Sequence, residues 1–407
     1  MKKILLITLA IVLILVGGIW LYLLLFGAPE SSQEFFADLG FGSATAPTEF
    51  TNDSVPNDFA PVALETGIDT KKALNLLTLR PVAGAVIVGT STDKQTVRYV
   101  ERGTGQIYEI DLAANKETLL SDTTFAQATK ATWSNNGTSV VIESGSPTSE
   151  QVQLLTWEKD SNASSTNQEG QFTASEIAPD AYAFAFSNDN KNLYYLRSDR
   201  DGSLGYSYSL ATNKPTLTFS LPFIAPAVEW TKIPLVYNRP GEKQAGYAYR
   251  LVSGELESAG AGGEALVAKA FYDKGVVLSK VVDGLLRGAY VGSDNFDLAI
   301  PAIPEKCVSG TTDEQKMYCS YPIEQSGNLP TDWYKGTAKL QDYLWSIDLA
   351  ESSPSRGTAL LISDLTNESG QNIDATDMST DYTHTRLLFR DKYTHSLWMY
   401  DTTLRNK

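Results

Sequence analysis

Two patterns of hydrophobic and polar positions divide this chain. An unbroken apolar run without charged residues extends from Ile4 to Phe26. From about residue 62 onward, short stretches alternate apolar and polar residues, with turn residues between them. The first pattern is typical of a helix that crosses a membrane. The second predicts β-strands, because successive side chains of a strand point to opposite faces of the sheet.

The apolar run predicts a transmembrane anchor over residues 4–26. At about 1.5 Å per residue it reaches about 34 Å, which exceeds the hydrocarbon thickness of a bilayer. A cleaved signal peptide is the alternative, but its apolar part is shorter, about 7–15 residues, and Phe26-Gly27-Ala28 is a poor cleavage site. Lys2 and Lys3 place residues 1–3 in the cytoplasm by the positive-inside rule. We therefore expect a single-pass protein of the cytoplasmic membrane, with everything after the helix on the extracytoplasmic side.

The segment after the helix predicts a spacer. Residues 27–57 are rich in serine, threonine and proline and contain too little apolar surface to fold alone. We expect them to be a flexible linker between the anchor and a folded domain over residues 58–407.

The first strands of that domain predict a meander. Residues 96–102 alternate apolar and polar side chains, turn at Gly103-Thr104-Gly105, and continue as a second alternating stretch over residues 106–112. A third stretch follows over residues 115–120. Short alternating segments joined by glycine-containing turns are typical of antiparallel hairpins.

This unit recurs along the chain. The stretch from Ala131 to Ile142, an aromatic residue and a serine followed by a polar turn and a strand, returns in outline from Ala183 to Leu196, and weaker copies follow. We count about seven units at a spacing of roughly 40–60 residues, the range of four-stranded propeller blades. An all-β propeller of about seven blades is therefore predicted, with six or eight possible and a two-sheet sandwich as the competing fold. Residues 58–65 are the predicted closing strand of the last blade.

The turns at residues 133–137 and 186–190 resemble those of TolB-like and WD-repeat propellers. The stretches 97–109, 318–322 and 329–336 look like a family of membrane-anchored propellers from candidate-phylum bacteria, whose activity is unassigned. The resemblance implies a propeller and a membrane location, and it implies no activity.

Charge and cysteine content narrow the possible partners. The net charge is −15, which disfavours nucleic acid because phosphate backbones repel an acidic surface. The two cysteines, Cys307 and Cys319, are predicted to form a disulfide on the oxidising side of the membrane. Zinc is the weaker alternative, because two thiols without a nearby histidine do not complete a four-ligand site.

Residues 305–340 depart most from the repeat and predict a long insertion closed by the disulfide. Asp332, Trp333 and Tyr334 form its candidate ligand-docking loop, because aromatic residues on a constrained loop lose little entropy on binding. The alternative is that Trp333 and Tyr334 hold the loop against its own blade.

The sequence contains no Gly-x-Ser-x-Gly elbow, phosphate loop or His-Glu-x-x-His motif, and no catalytic, cofactor-binding or metal-binding residues are predicted. The two histidines, His384 and His395, form a weak candidate for a metal pair, and the turn from Asp199 to Gly202 lacks the remaining ligands of a calcium loop. The sequence thus favours a non-enzymatic platform that docks an envelope protein or a glycan. The alternatives are a propeller-type glycan hydrolase or lyase, and a structural subunit of an envelope secretion or appendage complex.

Overall fold

The computed structural model describes residues 66–404, apart from 90, 92–93, 147–148, 160–169, 272–274, 311–314 and 351. The predicted anchor (4–26), linker (27–57) and closing strand (58–65) lie outside the described residues. Within the described part of the chain, no helix is both long and apolar enough to cross a membrane.

The described residues form seven antiparallel sheets that follow one another along the chain. Six sheets have four strands and one has five, so the predicted all-β propeller with seven blades is confirmed.

The strands of blades 1 to 4 are, from the central channel outwards: β2 (Val82–Val88), β3 (Thr96–Glu101), β4 (Ile107–Asp111) and β5 (Lys116–Ser121); β6 (Ala128–Trp133), β7 (Ser139–Ser146), β8 (Ser149–Lys159) and β9 (Gly170–Glu176); β10 (Ala181–Phe186), β11 (Asn192–Asp199), β12 (Gly202–Ser209) and β13 (Lys214–Leu221); β14 (Ala227–Glu229), β15 (Leu235–Tyr237), β17 (Ala248–Val252) and β18 (Glu255–Ser258).

The strands of blades 5 to 7 are, in the same order: β19 (Gly263–Phe271), β20 (Gly275–Val282), β21 (Leu285–Val291) and β22 (Phe296–Leu298); β23 (Cys307–Ser309), β24 (Lys316–Tyr321), β25 (Tyr343–Asp348) and β26 (Ala359–Asp364); β27 (Ala375–Thr380), β28 (Arg386–Asp391), β29 (Leu397–Asp401) and β1 (Leu74–Thr78). The short strand β16 (Ala245–Gly246) leaves blade 4 and pairs with β19 of blade 5.

The first strands of blades 7, 1, 2 and 3 lie side by side at the central channel, because β27 contacts β2. Strand β2 contacts β6, and β6 contacts β10, so the first strands of neighbouring blades are next to one another. The remaining strands of a blade follow outwards in the order of pairing.

Strand β1 closes the ring, because it comes from the start of the described chain and pairs with β29 near its end. Every residue of β1 is buried, so its Leu-Asn-Leu-Leu-Thr sequence suits a strand covered on both faces. The closing strand is therefore Leu74–Thr78 and not residues 58–65. Residues 58–65 were predicted from their place at the start of the domain, whereas the closing position is occupied by a strand that is buried at every residue.

The hydrophobic core lies between neighbouring sheets. Leu77 of blade 7 packs with Val82, Val97 and Tyr99 of blade 1 in one buried cluster, and similar clusters occur between other pairs of blades. Burial of apolar surface contributes about 25 cal/mol per Å². Because these apolar side chains are buried between two sheets, each blade is stabilised mainly by its contacts with the neighbouring blades.

The repeated serine of the sequence pattern has the same role in two blades. The hydroxyl oxygen of Ser134 accepts a hydrogen bond from the backbone N–H of Ser139 at 2.8 Å, and that of Ser187 accepts one from Asn192 at 3.0 Å. Each serine therefore fixes the turn between the first and second strands of its blade, which confirms that these two copies are equivalent.

Two kinds of loop open on one side of the disc, which we call the upper face. They are the loops that join successive blades and the loops between the second and third strands of a blade. Both kinds lie on the same side because neighbouring strands in a blade are antiparallel.

In blade 6, the loop between β24 and β25 consists of residues 322–342 and belongs to the upper face. We call it the cap segment. It contains helix α1 (Thr331–Lys335). A second short helix, α2 (Leu365–Ser369), follows β26, and a 3-10 turn (Thr402–Leu404) follows β29.

The rest of the insertion predicted over residues 305–340 is regular. Pro304–Lys306 is one turn of 3-10 helix, followed by β23 and β24. The predicted disulfide is confirmed, but it joins Cys307 and Cys319 directly across β23 and β24, with their Cα atoms 4.1 Å apart. It therefore does not close the cap segment.

Candidate functional site

The cap segment reaches the two preceding blades. The side-chain amide of Gln325 pairs with the backbone of Leu286 in blade 5, accepting from its N–H and donating to its carbonyl, both at 2.8 Å. The ammonium of Lys335 lies 3.5 Å from the carboxylate of Glu242, in the loop between the second and third strands of blade 4. The segment therefore extends from blade 6 over blades 4 and 5.

The same segment is tied to blade 7. The hydroxyl of Tyr393, in the turn between β28 and β29, donates to the carbonyl of Ala338 at 2.7 Å. The neighbouring Lys392 donates to the carbonyl of Trp333, and its ammonium lies 3.9 Å from the centre of the Trp333 ring. The cap segment thus links the upper-face loops of four consecutive blades.

Trp333 is the buried anchor of this segment. It is 3% exposed and packs with Leu286, Ile303 and Leu340 in one cluster. Its indole Nε1–H donates to Asp374 Oδ1 at 2.9 Å. The ring is therefore held by packing, by a hydrogen bond and by the Lys392 cation.

Below Trp333 lies a cluster of charged side chains with no exposed surface. The ammonium of Lys306 is 2.5 Å from Asp342 Oδ2, 2.7 Å from Asp374 Oδ1 and 2.7 Å from the carbonyl of Ala375, and the Lys306, Asp342 and Asp374 side chains are 0% exposed. Burial raises the pKa of Asp342 to about 6, against the lowering effect of Lys306. The second oxygen of Asp342, Oδ1, is buried without a hydrogen-bond partner.

Tyr334 and Glu305 form a second polar contact at the upper face. The Tyr334 hydroxyl donates to Glu305 Oε2 at 2.7 Å. Burial raises the pKa of Glu305, and the charges of Glu229 and Asp377 act in the same direction. Burial and the Glu305 carboxylate raise the pKa of the Tyr334 hydroxyl, although 38% of the surface of this residue is exposed.

Exposed hydrophobic side chains are concentrated on the upper face. Among the described residues, eight of the thirteen exposed large hydrophobic residues lie in upper-face loops or at the ends of the strands beside them, from the entry to blade 4 through blade 7 to the entry of blade 1. These eight are Leu79, Ile224, Tyr247, Val282, Leu285, Ile323, Tyr334 and Tyr393. Of the other five, Leu119, Leu217, Leu360 and Leu361 lie on outermost strands, and Tyr382 lies on the opposite face.

The three residues of the predicted docking loop have different positions. Trp333 is buried, as in the alternative interpretation that it holds the loop against the propeller. Asp332 accepts a hydrogen bond from the backbone N–H of Asn328 at 2.9 Å and so shapes the segment itself. Tyr334 is exposed, and of the two aromatic residues it is the one that a partner could contact.

The charged cluster was not predicted from the sequence. Asp342 and Asp374 are separated from Lys306 by 36 and 68 positions, and nothing in a linear pattern brings them together. The available signal is that Glu305-Lys306 and Gln341-Asp342 interrupt otherwise apolar stretches.

The two histidines lie on opposite faces. His384 is in the turn after β27, where its Nδ1 is 3.0 Å from the Thr380 hydroxyl, and His395 is in the upper-face turn after β28. Burial and the nearby cations Arg390 and Arg102 lower the pKa of His395 to about 4. The described part of the chain contains no group of three or more histidine, cysteine, aspartate or glutamate residues placed to hold a metal ion.

Comparison with known proteins supports the fold. Neither a protein-family model nor a curated protein sequence matches the chain. An oligogalacturonate lyase in complex with manganese is similar in structure, with a TM-score of 0.51 and 11% identity, covering 81% of this chain and 92% of that one. At this level of identity the similarity shows the propeller fold alone.

Two further structures are similar at lower TM-scores. The propeller domain of the trilobed protease from Pyrococcus furiosus gives a TM-score of 0.47 at 10% identity, covering 80% of this chain and 97% of that one. TolB from Acinetobacter baumannii gives a TM-score of 0.37 at 13% identity, covering 68% of this chain. The chain spans 65% of the length of TolB.

Proposed function

We propose that this chain is a non-enzymatic docking platform that binds a protein partner on the upper face of its propeller. The proposal rests on the concentration of exposed hydrophobic residues on the loops of blades 4 to 7. Clustered apolar residues on the surface of a soluble domain mark interaction sites, whereas single scattered ones do not.

The chemistry of these residues favours a protein over a glycan. Five of the eight are aliphatic: Leu79, Ile224, Val282, Leu285 and Ile323. Sugars are bound mainly by hydrogen bonds and by stacking on aromatic rings, and aliphatic side chains supply neither. Aliphatic and tyrosine side chains together are typical of the apolar centre of a protein interface.

The cap segment gives this surface a fixed shape. Its contacts with blades 4, 5 and 7 are formed within the chain, so the loops need no ordering when a partner arrives. A preorganised surface avoids part of the entropy cost of association. We propose further that the helix over residues 4–26 holds this platform on the outer side of the cytoplasmic membrane, where the partner is an envelope protein.

Charge substitutions on the two kinds of surface test the proposal. Ile224 and Ile323 are 78% and 60% exposed on the upper face, and Leu217 and Leu360 are 54% and 57% exposed on outermost strands. Full-length protein carrying Ile224→Glu and Ile323→Glu is compared with protein carrying Leu217→Glu and Leu360→Glu. Proteins crosslinked in cells are co-purified and quantified by mass spectrometry.

With the upper-face pair of substitutions, recovery of a specific protein partner should fall at least about tenfold, which corresponds to about 1.4 kcal/mol of binding free energy. With the outer-strand pair the partner should be recovered as from the wild type, because these residues lie away from the upper face. Both pairs place glutamate at exposed sites, so their effects on stability should be similar. Equal recovery with both pairs would contradict the proposal.

A further inference from the structure

The cluster around Lys306 brings an amine and a carboxyl group into contact away from water. Lys306 and Asp342 have no exposed side-chain surface, and the ammonium nitrogen is 2.5 Å from Asp342 Oδ2. The carbon of that carboxyl group, Cγ, is one bond beyond this oxygen. Well-oriented groups held in such proximity react with effective molarities of about 10⁵–10⁸ M.

Burial makes the ion pair a costly state for these groups. Removing a lysine and two carboxylates from water costs several kcal/mol per ion, which their mutual attraction repays only in part. Proton transfer within the pair gives a neutral amine and a neutral acid, and these are the species that can condense. The raised pKa of Asp342 is in keeping with this, since it is the carboxyl group that burial shifts toward its protonated form.

We propose that Lys306 and Asp342 form an intramolecular isopeptide bond, with Asp374 as the proton carrier. The Lys306 amine attacks Cγ of the protonated Asp342 carboxyl group. Asp374 Oδ1, which is 2.7 Å from the nitrogen, accepts a proton from it and returns that proton to the departing hydroxyl. One C–N bond forms, one C–O bond breaks and one water leaves, so no oxidant or cofactor is required.

The hydrogen bonds of the two carboxyl groups favour Asp342 as the bonded partner. Asp342 Oδ2 accepts from the backbone N–H of Ala375 at 2.7 Å, which stabilises negative charge on the oxygen that stays. Its Oδ1 has no partner and can leave without breaking a contact. In Asp374 both oxygens are engaged, Oδ1 by Trp333 at 2.9 Å and Oδ2 by the N–H of Leu340 at 3.0 Å.

The bond would join the end of the cap segment to the start of blade 6. Lys306 precedes β23, and Asp342 is the last residue of the cap segment before β25. A covalent link between them spans the first two strands of blade 6 and the whole cap segment. This inference concerns how the segment is held, and it stands whether or not a partner docks above it.

Mass spectrometry of the denatured, reduced full-length protein tests the proposal. The wild type should be lighter than its sequence mass by one water molecule, and the Lys306→Met variant should have its full sequence mass. Trypsin should fail to cleave after Lys306, which leaves the peptide 288–316 joined to the peptide 340–356. Fragmentation of the joined peptides should place the link at Asp342.

The Asp374→Asn variant tests the proton carrier. It keeps the size of the side chain but cannot accept the proton, so the joined peptide should be lost and the full sequence mass restored. Circular dichroism in the near ultraviolet confirms that this variant keeps the native packing. A wild-type protein at its full sequence mass would overturn the proposal whatever the variant does, and a link at Asp374 would overturn the assignment to Asp342.

Discussion

At the scale of the residue, Trp333 connects the cap segment with the propeller through packing and a hydrogen bond. It packs among Leu286, Ile303 and Leu340, and its indole N–H is bonded to Asp374. An aromatic residue in a loop is favourable at an interface and equally favourable in a local core, because both remove its large apolar surface from water. Sequence alone therefore leaves both positions open.

Replacement of Trp333 by alanine should destabilise the protein strongly. The change leaves a cavity and removes a hydrogen bond from Asp374, and we expect the free energy of unfolding to fall by about 3–5 kcal/mol. Urea unfolding followed by circular dichroism measures the loss. Tyr334→Ala is the matched control, with a much smaller effect because the residue is 38% exposed. Similar losses for both variants would contradict the assignment of Trp333 as the buried anchor.

Glu305 should make stability depend on pH. Burial raises its pKa in the folded protein above the ordinary value of 4.5, so the folded state binds the proton more tightly than the unfolded state. The stabilising contribution is therefore complete below pH 4.5 and is lost as the pH rises through the raised pKa. Glu305→Gln should remove this dependence when unfolding free energies are measured across that pH range. Parallel pH profiles for wild type and variant would rule out the effect.

At the scale of the element, the strand pattern was predicted well and the loops were not. The meander from residue 96 to 120 is confirmed as β3, β4 and β5, because alternation and glycine turns are local properties of the sequence. The insertion predicted for residues 305–340 was too long, since β23 has only three residues and shows no readable alternation. The crossing contacts of the cap segment depend on residues from other blades, which no local pattern contains.

The disulfide between β23 and β24 should stabilise blade 6 directly. It joins residues 12 positions apart, and a closed loop of this size contributes about 3 kcal/mol by reducing the entropy of the unfolded chain. Replacement of Cys307 and Cys319 by alanine should lower the free energy of unfolding by about that amount. Addition of a reductant to the wild type should have the same effect, and should leave the double variant unchanged. A reductant effect on the double variant would point to a different cause.

At the scale of the whole molecule, the number of blades followed from the repeat, whereas the binding surface did not. Equivalent units such as those at Ser134 and Ser187 can be counted along the sequence. The upper face is assembled from loops of four blades that are far apart in the chain. In the sequence, its exposed aliphatic residues cannot be distinguished from the buried aliphatic residues of the core. The closing strand was misplaced for a related reason, because Leu74–Thr78 is recognisable only by its pairing with β29.

The most direct test of the docking surface is crosslinking from single positions of the full-length protein in cells. A photoreactive residue is placed at Ile323 or Leu285 on the upper face, at Leu217 on an outermost strand, or at Tyr382 on the opposite face. We predict one protein adduct of the same mass from both upper-face positions and none from the other two. Equal adducts from all four positions, or adducts only from Leu217 or Tyr382, would contradict a docking site on the upper face.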